Sequence, residues 1–145
     1  MANLLRNSSR PAITVPETAT VLEAVKTMVK ERIGAVVVMK GKKMTGIFSE
    51  RDVLDKIVLA RRDPAKTPIS AVMTADVLSI AAPGDEAAAA EKMAANHIRH
   101  LPIVDAKKKV VGMVSLRHVM EERIADLEHE VNVLEAYLGY DGVSG

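Results

Sequence analysis

Two short stretches hold the residues whose types and spacing could do chemistry: Gly46-Ile47-Phe48-Ser49-Glu50-Arg51-Asp52 and Gly112-Met113-Val114-Ser115-Leu116-Arg117-His118. Each reads as the end of an apolar strand, a serine at the turn and the start of a helix. A serine there caps the helix, and the free backbone N–H groups of the first turn favour an anion. The arginine two residues on can fork onto phosphate oxygens. Asp52 can accept two hydrogen bonds from a diol such as a ribose. Helix start, arginine and carboxylate together suit a nucleotide. The second stretch keeps the serine and arginine but has His118 where the first has Asp52.

The elements that must position these residues come twice. Pro11 to Val15 is β-like and closed by Pro16, and Thr18 or Thr20 can cap a helix. Val21, Leu22, Val25, Met28 and Val29 then recur at helical spacing, and Gly34 is expected to break the helix. Ala35–Met39 reads as a buried strand, Lys40-Gly41-Lys42-Lys43 as a hairpin with Gly41 at its tip, Met44–Phe48 as the return strand and Glu50–Ala60 as a second helix. The unit is β-α-β-β-α. Arg61 to Ser70, with Asp63-Pro64 and Thr67-Pro68, interrupts regular structure. The pattern then restarts: Thr14 matches Ser79, Met28 matches Met93 and Ile33 matches Ile98 at an offset of 65, and beyond the hairpin Ser49 matches Ser115 at 66. A two-copy repeat is too short for a solenoid, and each unit alone would be marginal, so the two are expected to share a core.

After Val119 the last helix continues. Met120, Ile124, Leu127, Val131, Leu134 and Leu138 follow 4-3-4-3-4 spacing, a seam expected to meet a second subunit or else to pack back on its own domain. Gly139 is expected to end that helix, with Asp141 to Gly145 frayed.

Composition narrows the function classes. A net charge of +1 and 2% aromatic residues argue against nucleic-acid binding. With no cysteine there is no disulfide, thiol nucleophile or thiolate metal site. The first residues form no signal-peptide core and no apolar run approaches the ~20 residues of a membrane span, so a cytoplasmic protein without membrane contact is expected.

The repeat resembles the CBS-domain pair, or Bateman module, over roughly residues 10–123. The resemblance rests on the Gly–apolar–x–Ser–x–Arg–Asp stretch at 46–52, the Thr20-Val21-Leu22-Glu23-Ala24 helix start, and His100-Leu101-Pro102-Ile103-Val104-Asp105 leading into a hairpin. The expected fold is α/β (α+β). Two β-α-β-β-α repeats, at 10–60 and 73–123, join through a linker at 61–72 and pack as a pseudo-twofold pair, with a helical extension at 124–139. The resemblance implies a ligand-sensing module, without catalytic machinery, whose two clefts each take an adenine nucleotide (AMP, ADP or ATP) or a related ligand such as NAD(H) or S-adenosylmethionine. It also implies a homodimer that acts on an unknown effector protein.

Carried onto this chain, the resemblance puts Asp52 on the ribose of the first cleft, Ser49 and Arg51 near phosphate, Val77, Leu78 and Ile98 around the base, and Arg99 and His100 at the phosphate mouth. The second cleft would use Ser115 and Arg117, with Ile13, Ile33 and Ala35 around the base. Here the sequence departs from the family. A neutral His118 ring offers one acceptor at most, so unequal clefts are expected, the second empty or holding its ligand differently.

Plainer readings stand beside these. Ser49 and Asp52 also form a capping box, Arg51 and Arg117 can be solvated helix-start charges, and His97 and His100 lack a third metal ligand. Lys107-Lys108-Lys109 reads as a solvated hairpin and the methionines as core filler. An assembly protein with vestigial clefts, working through its C-terminal helix, is the alternative function. An enzyme is disfavoured for want of paired carboxylates, a Ser–His–acid set or a Walker loop.

Overall fold

A computed structural model describes residues 9–82 and 84–142 of the chain. Thr20 opens α1 (Val21–Glu31), its Oγ1 accepting the Glu23 N–H at 3.2 Å, and the helix buries Val21, Ala24 and Met28. At the matching place in the second repeat, Asp85 opens α3 (Glu86–Ala95) by accepting the Ala88 N–H at 2.7 Å. The residue types differ, but each satisfies one orphan N–H of a first turn. Gly34 does not end α1 as expected. Arg32 takes the left-handed conformation (φ 55°) and donates its N–H to the carbonyls of Met28 and Val29. In the second repeat His97 is likewise left-handed (φ 54°), its N–H donated to the Ala94 carbonyl at 3.3 Å.

Each helix leads into a hairpin. β3 (Ala35–Lys40) pairs antiparallel with β4 (Lys43–Ser49), and β6 (His100–Val104) with β7 (Val110–Ser115). The register of each shifts at a matching point, between Val38 and Met39 and between Ile103 and Val104. Gly41 sits at φ 62° in the tight first turn, where a side chain would be strained. The second turn carries the extra residue, and Asp105 Oδ1 organises it by accepting the N–H groups of Lys107 and Lys109, each at 2.9 Å. A short parallel strand completes each sheet: β2 (Thr14–Pro16) on β3 and β5 (Ile80–Ala81) on β6.

The segment before each repeat crosses to the return strand of the other. β1 (Ser9–Arg10) pairs antiparallel with β7, giving a four-stranded sheet ordered β1-β7-β6-β5 beside the three-stranded β2-β3-β4. Thr74, ahead of β5, bridges Ile47 on β4 through two backbone hydrogen bonds of 2.9 and 3.0 Å. Gly46 is what lets that segment pass: a Cβ there would stand 2.8 Å from Met73 Cγ.

Three buried clusters hold the fold. One fills the first repeat around Val21, Val36, Val38 and Phe48 and takes in Ile69 and Val72 from the connection between repeats. A second fills the other repeat around Met93, Leu101 and Val114. The third joins them: Ala35, Val37 and Met113, with Met39, Met44, Ile47 and Val110 against them, belong to both sheets. The expected shared core is this cluster.

Two helices differ from expectation. The helix at 50–60 begins as α2 (Glu50–Asp52) but continues as a π-helical turn (Val53–Val58), in which the Leu59 N–H reaches the Leu54 carbonyl and the Arg62 N–H the Ile57 carbonyl. The last helix, α4 (Leu116–Gly142), does not stop at Gly139. A glycine inside a helix costs about 1 kcal/mol relative to alanine, which a helix of 27 residues absorbs. Val143 to Gly145 lie outside the described residues.

Candidate ligand-binding clefts

The site is built at the junction of β4 and α2. Ser49 ends the strand in extended conformation, and Asp52 folds back over it. Asp52 Oδ2 accepts the Ser49 N–H at 2.9 Å and the Ser49 hydroxyl at 3.3 Å, so the capping box is formed. Asp52 Oδ1 pairs with Lys56 Nζ at 3.2 Å, and the same ammonium donates to the Val72 carbonyl at 2.8 Å. The carboxylate is only 13% exposed, so it is held in a fixed direction by partners on both oxygens.

Across from it stand residues of the second repeat. Arg51 Nη1 donates to the His97 carbonyl at 3.4 Å, tying the first repeat's helix start to the end of the second repeat's helix. The His100 ring lies against Gly34, where a Cβ would come within 2.8 Å of Cε1 and Nε2 and 3.3 Å of Glu50 Oε1. Burial is the main cause that lowers the His100 pKa below its ordinary value; Glu50 opposes that shift, and Arg99 and His118 add to it. The imidazole is therefore neutral at pH 7.

These groups enclose a cleft of about 470 Å³. Of the residues assigned to the first cleft, Ser49, Arg51, Asp52, Leu78, Ile98, Arg99 and His100 line it and Val77, half-buried, does not. Sequence reasoning missed Gly34, Ile47, Glu50, Leu54, Thr74, Asp76 and His97. Gly34 and Thr74 had no signal of their own, because their place follows from the crossing of the two repeats. His97 had one, its match to the helix-ending Arg32. Among the described residues no group of three or more His, Cys, Asp or Glu is placed to hold a metal ion.

The matching junction of β7 and α4 is wired differently. His118 Nδ1 and Ser115 Oγ share a 2.6 Å hydrogen bond, and Ser115 Oγ also accepts the His118 N–H at 3.2 Å. The serine caps the helix, but no carboxylate reaches back. Arg117, exposed, donates from Nε to Glu121 at 3.0 Å. Burial lowers the His118 pKa, with Arg10 and Arg117 acting the same way and Glu121 opposing. Ile13 and Ile33 are half-buried against the first-repeat core and Ala35 is buried between the sheets.

The CBS domain pattern matches twice, over residues 5–59 and 69–125. This chain belongs to the CBS-domain family. It is 32% identical over 124 residues to a mitochondrial CBS domain-containing protein of Arabidopsis thaliana, covering 82% of this chain and 60% of that protein. It is 36% identical over 115 residues to the inosine-5'-monophosphate dehydrogenase of Methanocaldococcus jannaschii, covering 79% of this chain and 22% of the enzyme. The chain thus spans 60% or less of the length of the first curated relatives it matches. Among solved structures, a CBS domain protein of Pyrobaculum aerophilum complexed with AMP shares 32% identity and a TM-score of 0.74, over 82% of this chain and 91% of that one. A CBS-domain protein of Agrobacterium tumefaciens gives 27% and 0.75, over 82% and 94%. Both CBS matches end before residue 126, so most of α4 lies outside them.

Proposed function

We propose that this CBS pair is a ligand-sensing regulatory module that binds an adenine nucleotide in the cleft beside Asp52. The observation that carries the reading is the meeting, around one cleft, of a capped helix start (Ser49, Arg51, Asp52) with Arg99 and His100 from the other repeat. The AMP bound by the Pyrobaculum relative, at 32% identity, supports an adenylate over other nucleotides.

The chemistry divides along the cleft. A carboxylate offers about four lone-pair sites. Asp52 spends them on the Ser49 N–H, the Ser49 hydroxyl and Lys56, and the hydroxyl, at 3.3 Å, is the weakest of these. A ribose diol would take the open site and displace the serine hydroxyl, which then turns toward phosphate. Leu78, Ile98 and Ile47 give the base an apolar slot. Arg51 and Arg99 supply positive charge for a phosphate, and a nearby dianion would raise the His100 pKa toward protonation.

Native mass spectrometry of the purified chain, followed by calorimetric titration with AMP, ADP, ATP, NAD and S-adenosylmethionine, tests the reading. Co-purified or titratable adenosyl ligand is expected, with AMP among those bound. Failure of all five to bind a folded, ligand-stripped protein would remove it. That result would leave the second reading, an assembly protein with vestigial clefts, which the exposed apolar residues of α4 favour.

A further inference from the structure

α4 leaves the body of the protein as it lengthens. Its first turns are anchored, with Val119 buried and Glu122 and Asp126 half-buried, and it contacts α3 and β7. From Leu127 to Gly139 every side chain is exposed. A bare helix of that length is marginal in water, since isolated helices below ~12–15 residues seldom hold. This one also shows water a continuous apolar seam of Met120, Ile124, Leu127, Val131, Leu134 and Leu138, each at least 44% exposed. The seam is about 28 Å long at 1.5 Å per residue.

We infer that α4 pairs with α4 of a second copy of this chain as a parallel, in-register two-stranded coiled coil along this seam. The inference is independent of the nucleotide reading and concerns residues mostly beyond the CBS matches. The 4-3 spacing assigns Ile124, Val131 and Leu138 to the a positions and Met120, Leu127 and Leu134 to d. β-Branched residues at a with leucine at d favour two parallel strands.

The flanking charges agree. Arg123 falls at g and Glu128 at e, so a parallel pair brings Arg123 of each chain to the partner copy's e-position glutamate. An antiparallel pair instead sets e against e, and all three e positions of the seam, 121, 128 and 135, are glutamate. The parallel arrangement has one unfavourable contact, Glu130 at g against the glutamate at e five residues on in the other chain. It is a handle for testing the orientation.

Sedimentation of the full chain at micromolar concentration is expected to give twice the chain mass. Leu127→Asp combined with Leu134→Asp, both at exposed sites, is expected to halve that mass without altering the melting of the repeats. A single-chain mass for the unaltered protein, or a dimer that survives the double substitution, overturns the inference, the latter placing the contact on another face. Because the chain has no cysteine, introduced ones report orientation. Leu134→Cys should cross-link to itself on mild oxidation. Cross-linking only in a mixture of Ile124→Cys and Leu134→Cys proteins would make the pair antiparallel and contradict the inference. Glu130→Lys should lower the dimer dissociation constant roughly twofold to thirtyfold by replacing two repulsions with two attractions. In the antiparallel arrangement position 130 faces its own copy and the substitution brings no gain, a result that would also contradict it.

Discussion

The two helix starts of this protein descend from one pattern and are held in two ways. At Ser49 a carboxylate three residues on reaches back to the strand end, and its oxygens are set by a backbone N–H on one side and a lysine on the other. At Ser115 the same offset carries an imidazole, and the serine hydroxyl does the capping alone. Each arrangement satisfies a backbone N–H at its helix start. Only the first keeps a fixed anionic acceptor facing a cleft. A helix start in this fold is thus capped with or without a carboxylate at that offset.

The largest effect is expected at Gly34. The His100 ring occupies the space a side chain would need, so Gly34→Val should drive the ring and Glu50 into the first cleft and cut AMP affinity more than a hundredfold. Adding His100→Ala to that protein should recover a large part of the loss. Titration showing undiminished binding by folded Gly34→Val protein would place the ligand elsewhere.

Next in size is the reciprocal change at the second start. His118→Asp supplies the missing carboxylate, and a charge-assisted hydrogen bond contributes about 1.5–3 kcal/mol, so second-site affinity should rise roughly tenfold to over a hundredfold. Calorimetry should then resolve two sites per chain where the unaltered protein gives one strong one. Two equal sites before and after the substitution would erase the asymmetry.

The smallest effect is on stability against pH. Burial lowers the pKa of both His100 and His118 below 6.5. Between 6.5 and those lowered values the unfolded chain binds more protons than the folded one, so stability falls as pH drops through that window. The charged neighbours are Glu50, Arg99 and His118 for His100, and Arg10, Glu121 and Arg117 for His118. Thermal melting between pH 7 and 5.5 should show the melting temperature declining, with a shallower decline in a His100→Gln, His118→Gln protein. Saturating AMP should also blunt the decline if its phosphate lies beside His100. An identical slope in the unaltered and substituted proteins would mean that neither ring carries the effect.

How much of this was legible in the chain depends on whether a feature is local. The offset between Thr14 and Ser79 exposed the repeat, and Ser49, Arg51 and Asp52 lie together because three residues of helix start hold them. The strands at 35–40 and 43–49 followed from a run of valines and one glycine turn. What the sequence hid depends on long-range crossing. Thr74 and Asp76 reach the cleft only because the chain passes over β4 at Gly46, and no local pattern marks that. Gly34 was read as a helix breaker when Arg32 ends the helix and Gly34 makes room for a ring 66 residues away. Gly139 misled for a related reason: a glycine stops a helix only when the next residues leave it, and here they continue.

The most direct measurement is calorimetric titration of Asp52→Asn with AMP, beside a melting curve of the same protein. Asparagine ranks with aspartate as a helix cap, so the melting temperature should change little. Loss of the charged acceptor should weaken AMP roughly tenfold to over a hundredfold. Unaltered affinity in a folded Asp52→Asn protein would contradict the assignment of Asp52 to the ribose, leaving the carboxylate as a cap and nothing more.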